Sequence, residues 1–97
     1  MNTFRVSITL DYHEDFDSEP SDERVPFANL STDDPMVVIN RIKADFDIIK
    51  DGIQYEAGNN KIYLDYEDLV IRVEVFNDGS LSTEKFAKEI YDTLLKI

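Results

Sequence analysis

The chain has 97 residues, 42% of them hydrophobic and 32% charged, and its 21 acids against 10 Lys and Arg leave a net charge of −11 with no Cys. That length holds one core and no second domain, the missing Cys excludes a disulfide framework, a thiol nucleophile and a Cys-based metal site, and the negative balance excludes direct binding to nucleic acid or anionic lipid. No apolar run approaches the roughly 20 residues of a membrane span, and the start MNTFRVSITLDY lacks the charged-then-apolar pattern of a signal peptide, so the expected location is the cytoplasm.

From Thr3 to Tyr12 the residues alternate, with Phe4, Val6, Ile8, Leu10 and Tyr12 on one face and polar residues on the other, which predicts a half-buried strand. A long acidic loop is expected at about 13–33. The next segment, STDDPMVVINRIKADFDIIKDG, predicts a helix capped by Asp33 or Asp34, with Pro35 at its first position, Gly52 as its left-handed stop, and Val38, Ile39, Ile42, Phe46 and Ile49 as its buried stripe. Three short strands follow, turning at Gly58-Asn59-Asn60 and at Glu67-Asp68. Their inward residues are expected to be Ile53, Tyr55 and Ala57, then Ile62, Leu64 and Tyr66, then Leu69, Ile71, Val73 and Val75. Asp78-Gly79 ends the last strand, and Ser82 caps a final helix that buries Phe86, Ile90, Leu94 and Ile97, with Leu81 and Phe86 as a hydrophobic staple.

These elements, in the order β-α-β-β-β-α, predict an α+β two-layer sandwich: a four-stranded, mainly antiparallel sheet with both helices on one face. The other face, carrying Arg5, Thr9, Gln54, Glu56, Tyr63, Asp65, Arg72 and Glu74, is expected to be polar and solvated.

Between Asp11 and Asp34 lie nine acids opposed only by Arg24, so this stretch holds −8 of the net −11. A solvated loop that maintains solubility is the simplest meaning of such a run. Asp15, Asp17 and Glu19 resemble the opening of a calcium loop, but Pro20 stands where that loop needs its turn Gly and Pro26 where it needs its closing Glu. Catalysis by paired carboxylates needs an apolar wall that separates their pKa values, and the stretch offers none. A fourth meaning is an anionic decoy. A duplex carries one charge per ~1.7 Å of axis, and a protein imitates that potential only by gathering acids densely. Phe16, Phe27 and Leu30 lie among the acids, either as anchors for a partner or, in the preferred reading, as pins that hold the stretch to the core.

The lone histidine, His13, has no second His or Cys to share a metal with, and no G-x-S-x-G turn accompanies it. Gly52, Gly58 and Gly79 fall at expected turns and form no phosphate cradle, and Tyr55, Tyr63, Tyr66 and Phe76 are assigned to packing, not to base stacking.

In size, acidity, lack of Cys and irregular acidic stretch, the chain resembles in character the small phage-type inhibitors that imitate nucleic acid, anti-CRISPR proteins among them, although no motif is shared. The concentration of −8 of the −11 charge in one stretch leads, with that likeness, to the expectation of a non-enzymatic inhibitor without cofactor or metal, whose partner is a basic, nucleic-acid-binding protein engaged by Glu14, Asp15, Phe16, Asp17, Glu19, Asp22 and Glu23. An immunity or antitoxin-like protein that neutralises a basic toxin, and a small structural or adaptor module, are the alternatives.

Overall fold

A computed structural model of the chain describes residues 3–12, 23–66, 69–77 and 82–97. Its strands are β1 (Phe4–Tyr12), β2 (Glu23–Thr32), β3 (Ile53–Tyr55), β4 (Lys61–Tyr66) and β5 (Leu69–Phe76), and its helices α1 (Pro35–Lys43) and α2 (Thr83–Leu94). The five strands form one antiparallel sheet in the order β2-β1-β5-β4-β3. The α+β class stands as expected, with five strands in place of four.

Alternation sets the core. Phe4, Val6, Ile8 and Leu10 of β1, Ile62 and Leu64 of β4, and Ile71, Val73 and Val75 of β5 are buried in one cluster with Val38, Ile39 and Ile42 of α1 and Phe86, Ala87, Ile90 and Leu94 of α2. Both helices therefore cover the same face of the sheet. Each large aliphatic side chain buried there contributes about 1.5–3 kcal/mol. The rings of Phe4 and Phe86 stack with centroids 4.4 Å apart, and those of Tyr55 and Tyr91 at 4.9 Å, joining α2 to both sides of the sheet.

The added strand is β2, where the sequence reading placed loop. It pairs with β1 from Phe4 opposite Thr32 to Tyr12 opposite Glu23, and its register shifts between Ile8 and Thr9. Ile8 faces Ala28 and Thr9 faces Pro26, so Phe27 is the extra residue of a β-bulge. That residue reverses the alternation: Ala28, Leu30 and Thr32 lie opposite inward residues of β1, and so does Val25, three positions before Ala28. A two-residue period cannot be read across such a shift, and Pro26 reads as a break although edge strands and bulges tolerate it. Phe27 and Leu30 pack against the core, as their pinning role requires.

The first helix is shorter than its sequence pattern. Asp34 caps it, accepting a hydrogen bond from the Met36 N–H at 2.9 Å, and Pro35 takes the first position as expected. The helix ends at Lys43, and Phe46 turns into an aromatic cluster, edge to face with Phe27 at 5.4 Å and Tyr66 at 5.3 Å. Beyond it Ile48 packs on the core while Ile49 is 48% exposed, so the expected stripe misses by one residue. Gly52 is not a helix stop but closes a 3-10 turn over Lys50–Gly52, where a Cβ would lie 3.0 Å from the Asp65 carbonyl oxygen.

Gly58 does take the positive φ its turn demands, +85°, in a turn closed by the Asn59 N–H on the Glu56 carbonyl at 3.0 Å. Ala57 lies exposed in that turn and not inward. Asn60 donates from Nδ2 to the Val75 carbonyl at 2.8 Å and accepts the Val75 N–H at 2.9 Å, which extends the β4–β5 ladder past the turn. In α2 the Ser82 hydroxyl caps the Lys85 N–H, and the helix stops at Leu94, leaving Ile97 40% exposed instead of buried. Leu81, Glu67-Asp68 and Asp78-Gly79 lie outside the described residues.

Candidate functional site at one end of the sheet

Glu14, Asp15, Phe16, Asp17, Glu19 and Asp22, together with His13, lie outside the described residues, and Glu23 opens β2. The sheet fixes where the chain departs and returns around them. Tyr12 pairs with Glu23 on one side and with Leu69 on the other, and Leu69 pairs with Tyr66. The four residues make one row across β2, β1, β5 and β4. Residues 13–22 run between Tyr12 and Glu23, and residues 67–68 run between Tyr66 and Leu69. The two stretches hold Glu14, Asp15, Asp17, Glu19, Asp22, Glu67 and Asp68, with no Lys or Arg. Nothing local in the sequence signals that both are bounded by one row, because the pairing that joins them connects residues more than fifty positions apart.

One position further into the sheet, Arg24, Asp11, Val70 and Asp65 form the next row. Here charge is partly compensated. The Arg24 Nε lies 3.4 Å from Asp11 Oδ1, whose side chain is only 16% exposed, and Asp65 accepts a hydrogen bond from Gln54 Nε2 at 3.2 Å. Asp11 is thus largely enclosed by the sheet and partly compensated by Arg24. Asp33 and Asp34 belong to a different place altogether. The ten residues of β2 span roughly 30 Å, and Thr32, at the far end, pairs with Phe4. Glu23 and the Asp33–Asp34 pair therefore lie beside opposite ends of β2, and Asp34 is occupied as a helix cap.

Asp45 and Asp47, just past the end of α1, are exposed. Asp45 accepts from Arg41 Nη1 at 3.1 Å, a surface pair between α1 and the residues just past its end. On α2 the Ser82 hydroxyl donates to Glu84 at 2.7 Å and holds that carboxyl below its ordinary pKa of 4.5, and a hydrogen bond to Asp92 raises Lys88 above 10.5. Both groups are fully exposed and stand apart from the row at Tyr12. Among the described residues no group of three or more His, Asp or Glu is placed to hold a metal ion, and no helix is long and apolar enough to cross a membrane.

An open depression of about 410 Å³ lies toward the other end of the sheet's outer face, where Arg5, Ser7, Asn29, Ser31 and Phe76 are among its lining residues. It contains no carboxylate and stands apart from the acidic end. Comparison of the chain with protein-family models, curated proteins and solved structures gave no match.

Proposed function

We propose that this chain is a non-enzymatic acidic inhibitor that imitates nucleic acid and occupies the groove of a basic, nucleic-acid-binding protein, in the manner of a phage counter-defence protein such as an anti-CRISPR. The observation that carries the reading is the row of Glu23, Tyr12, Leu69 and Tyr66, from which two stretches holding seven acids and no Lys or Arg depart. With strands about 4.8 Å apart that row is about 14 Å wide, and since a duplex presents one charge per about 1.7 Å of axis, acids gathered densely in the chain beside it are what imitation requires. Asp15, Asp17, Glu19, Asp22 and Glu23 supply the potential, with Glu14 beside them and Phe16 as an apolar anchor. Charge of this density speeds encounter, and packed anchors set how long the complex lasts. The protein works in the cytoplasm on this reading, where its target is found.

The test is a pull-down from host lysate with the full chain, followed by competition with duplex and single-stranded nucleic acid at several salt concentrations. The expected result is a basic partner displaced by nucleic acid and bound less tightly as salt rises. Changing Asp15, Asp17, Asp22 to Asn and Glu19, Glu23 to Gln together should abolish capture while leaving the circular dichroism spectrum unchanged. Capture of a partner that nucleic acid cannot displace, or full potency in the neutralised variant, counts against the proposal. The immunity-like alternative differs in requiring one cognate toxin and a few dominant contacts.

A further inference from the structure

The outer face of the sheet carries a charge pattern that is complementary to itself. Ile8 of β1 pairs with Val73 of β5, and Val73 pairs with Ile62 of β4. Consider a two-fold axis lying flat on this face and crossing the strands at those three residues. It carries each outward residue onto the one equally far beyond the crossing in a second copy. Arg5 is then set opposite Asp11, Arg72 opposite Glu74, and Phe76 opposite Val70. The outermost of these lie three residues, about 10 Å, from the axis. Aligned sheets cross at about 30°, which displaces such positions by about 5 Å, within reach of an Arg side chain. On β1, β4 and β5 no described outward residue meets a like charge.

A second observation points to the same face. Among the described residues two buried side-chain atoms lack a hydrogen-bond partner, Asp11 Oδ1 and Arg72 Nε. Each has an opposite charge nearby, Arg24 at 3.4 Å from Asp11 and Glu74 at 3.5 Å from Arg72, but neither contact brings that atom a hydrogen bond. Buried polar atoms in native structures are normally satisfied. Both groups belong to the charge pairs that the axis creates, Asp11 facing Arg5 and Arg72 facing Glu74 of the other copy through their accessible atoms.

We propose that two copies of this chain pack through their open sheet faces about this axis, as an isologous dimer in which each residue's partner is reciprocated. The proposal does not rest on the decoy reading. The five strands, from three residues in β3 to ten in β2, at about 4.8 Å spacing and about 3.3 Å per residue give an outline on the order of 600 Å² per copy, below the roughly 800 Å² of a standard specific interface. The pair is accordingly weak. Repulsion between two chains of −11 opposes it further and is reduced at physiological ionic strength.

Sedimentation velocity of the full chain over a concentration series at physiological salt tests this. The expected result is a shift from 11.2 kDa toward twice that mass as concentration rises. Two variants, Arg72→Glu and Glu74→Arg, each set like charges opposite one another and should stay monomeric, at least tenfold weaker in association, with unchanged circular dichroism. An equimolar mixture of the two variants should recover the two-chain particle, because every opposed pair is again of unlike charge. Each variant also loses the Arg72–Glu74 contact within its own chain, a loss that mixing does not restore, so recovery on mixing reports contact between copies. A chain that remains at 11.2 kDa throughout, single variants that associate like the parent, or a mixture that stays monomeric would overturn the proposal.

Discussion

Replacing Phe27 by Ala tests whether β2 is a structural strand or a solvated connection. Phe27 is half-buried against the core, its ring meets Phe46 edge to face at 5.4 Å, and the Arg41 guanidinium lies 4.3 Å above it, steadied by Asp45. Half the burial of a Phe side chain is about 1 kcal/mol, the aromatic pair adds about 0.5–1.5 kcal/mol, and an exposed cation–π contact about 0.5–1 kcal/mol. These overlap, so the expected loss is about 2–3 kcal/mol. For a domain of this size that lowers Tm by roughly 10–20 °C. Urea denaturation should show a lower midpoint with an unchanged slope. A double-mutant cycle with Phe46→Ala should recover a coupling of about 1 kcal/mol, since the two rings touch. A cost below about 0.5 kcal/mol with no coupling is what a surface loop residue gives, and it would refute the bulged strand.

Ser82→Ala removes the cap of α2 and should cost about 1 kcal/mol in thermal or urea unfolding. The same change should let the Glu84 carboxyl rise toward its ordinary 4.5 in an NMR titration. Because the folded-state pKa of Glu84 is depressed, its stabilising effect is present above pH 4.5 and is lost as pH falls through the lower folded value. Gly58→Ala and Gly52→Ala should both destabilise, for different reasons. At Gly58 a Cβ meets nothing within 4 Å but the φ of +85° is strained for any L residue, at a cost of about 1 kcal/mol that Asn partly relieves. At Gly52 Asn brings no such relief, because the obstacle is the Asp65 backbone at 3.0 Å. Equal responses to Asn at the two sites in urea unfolding would contradict this division.

The parts of the fold legible in the sequence are those where one period runs unbroken over an element. The nine residues of β1 alternate throughout, and α2 declares itself by Ser82 followed by Phe86, Ile90 and Leu94. The reading failed where geometry changes by one residue. Phe27 adds one position to β2, so its inward residues sit on both parities and the strand looked like loop; Ile48 replaces Ile49 on the core because α1 stops at Lys43 to let Phe46 join Phe27 and Tyr66. The acids were visible from composition. Their distribution was not, since it depends on β2 carrying Asp33 and Asp34 to the far end and on Tyr12 pairing with Leu69.

The bulge at Phe27 also bears on how the molecule behaves in a crowded solution. The margins of the sheet are β2 and β3, and each discourages a further strand: β3 offers only three residues, while β2 holds Pro26, which has no N–H to donate, beside a local kink. Backbone ladders propagate along straight, fully paired margins. Both irregularities of β2 stand against edge-to-edge growth of a sheet rich in Val and Ile, and repairing them, by removing Phe27 and replacing Pro26 with Val, should raise the tendency to aggregate.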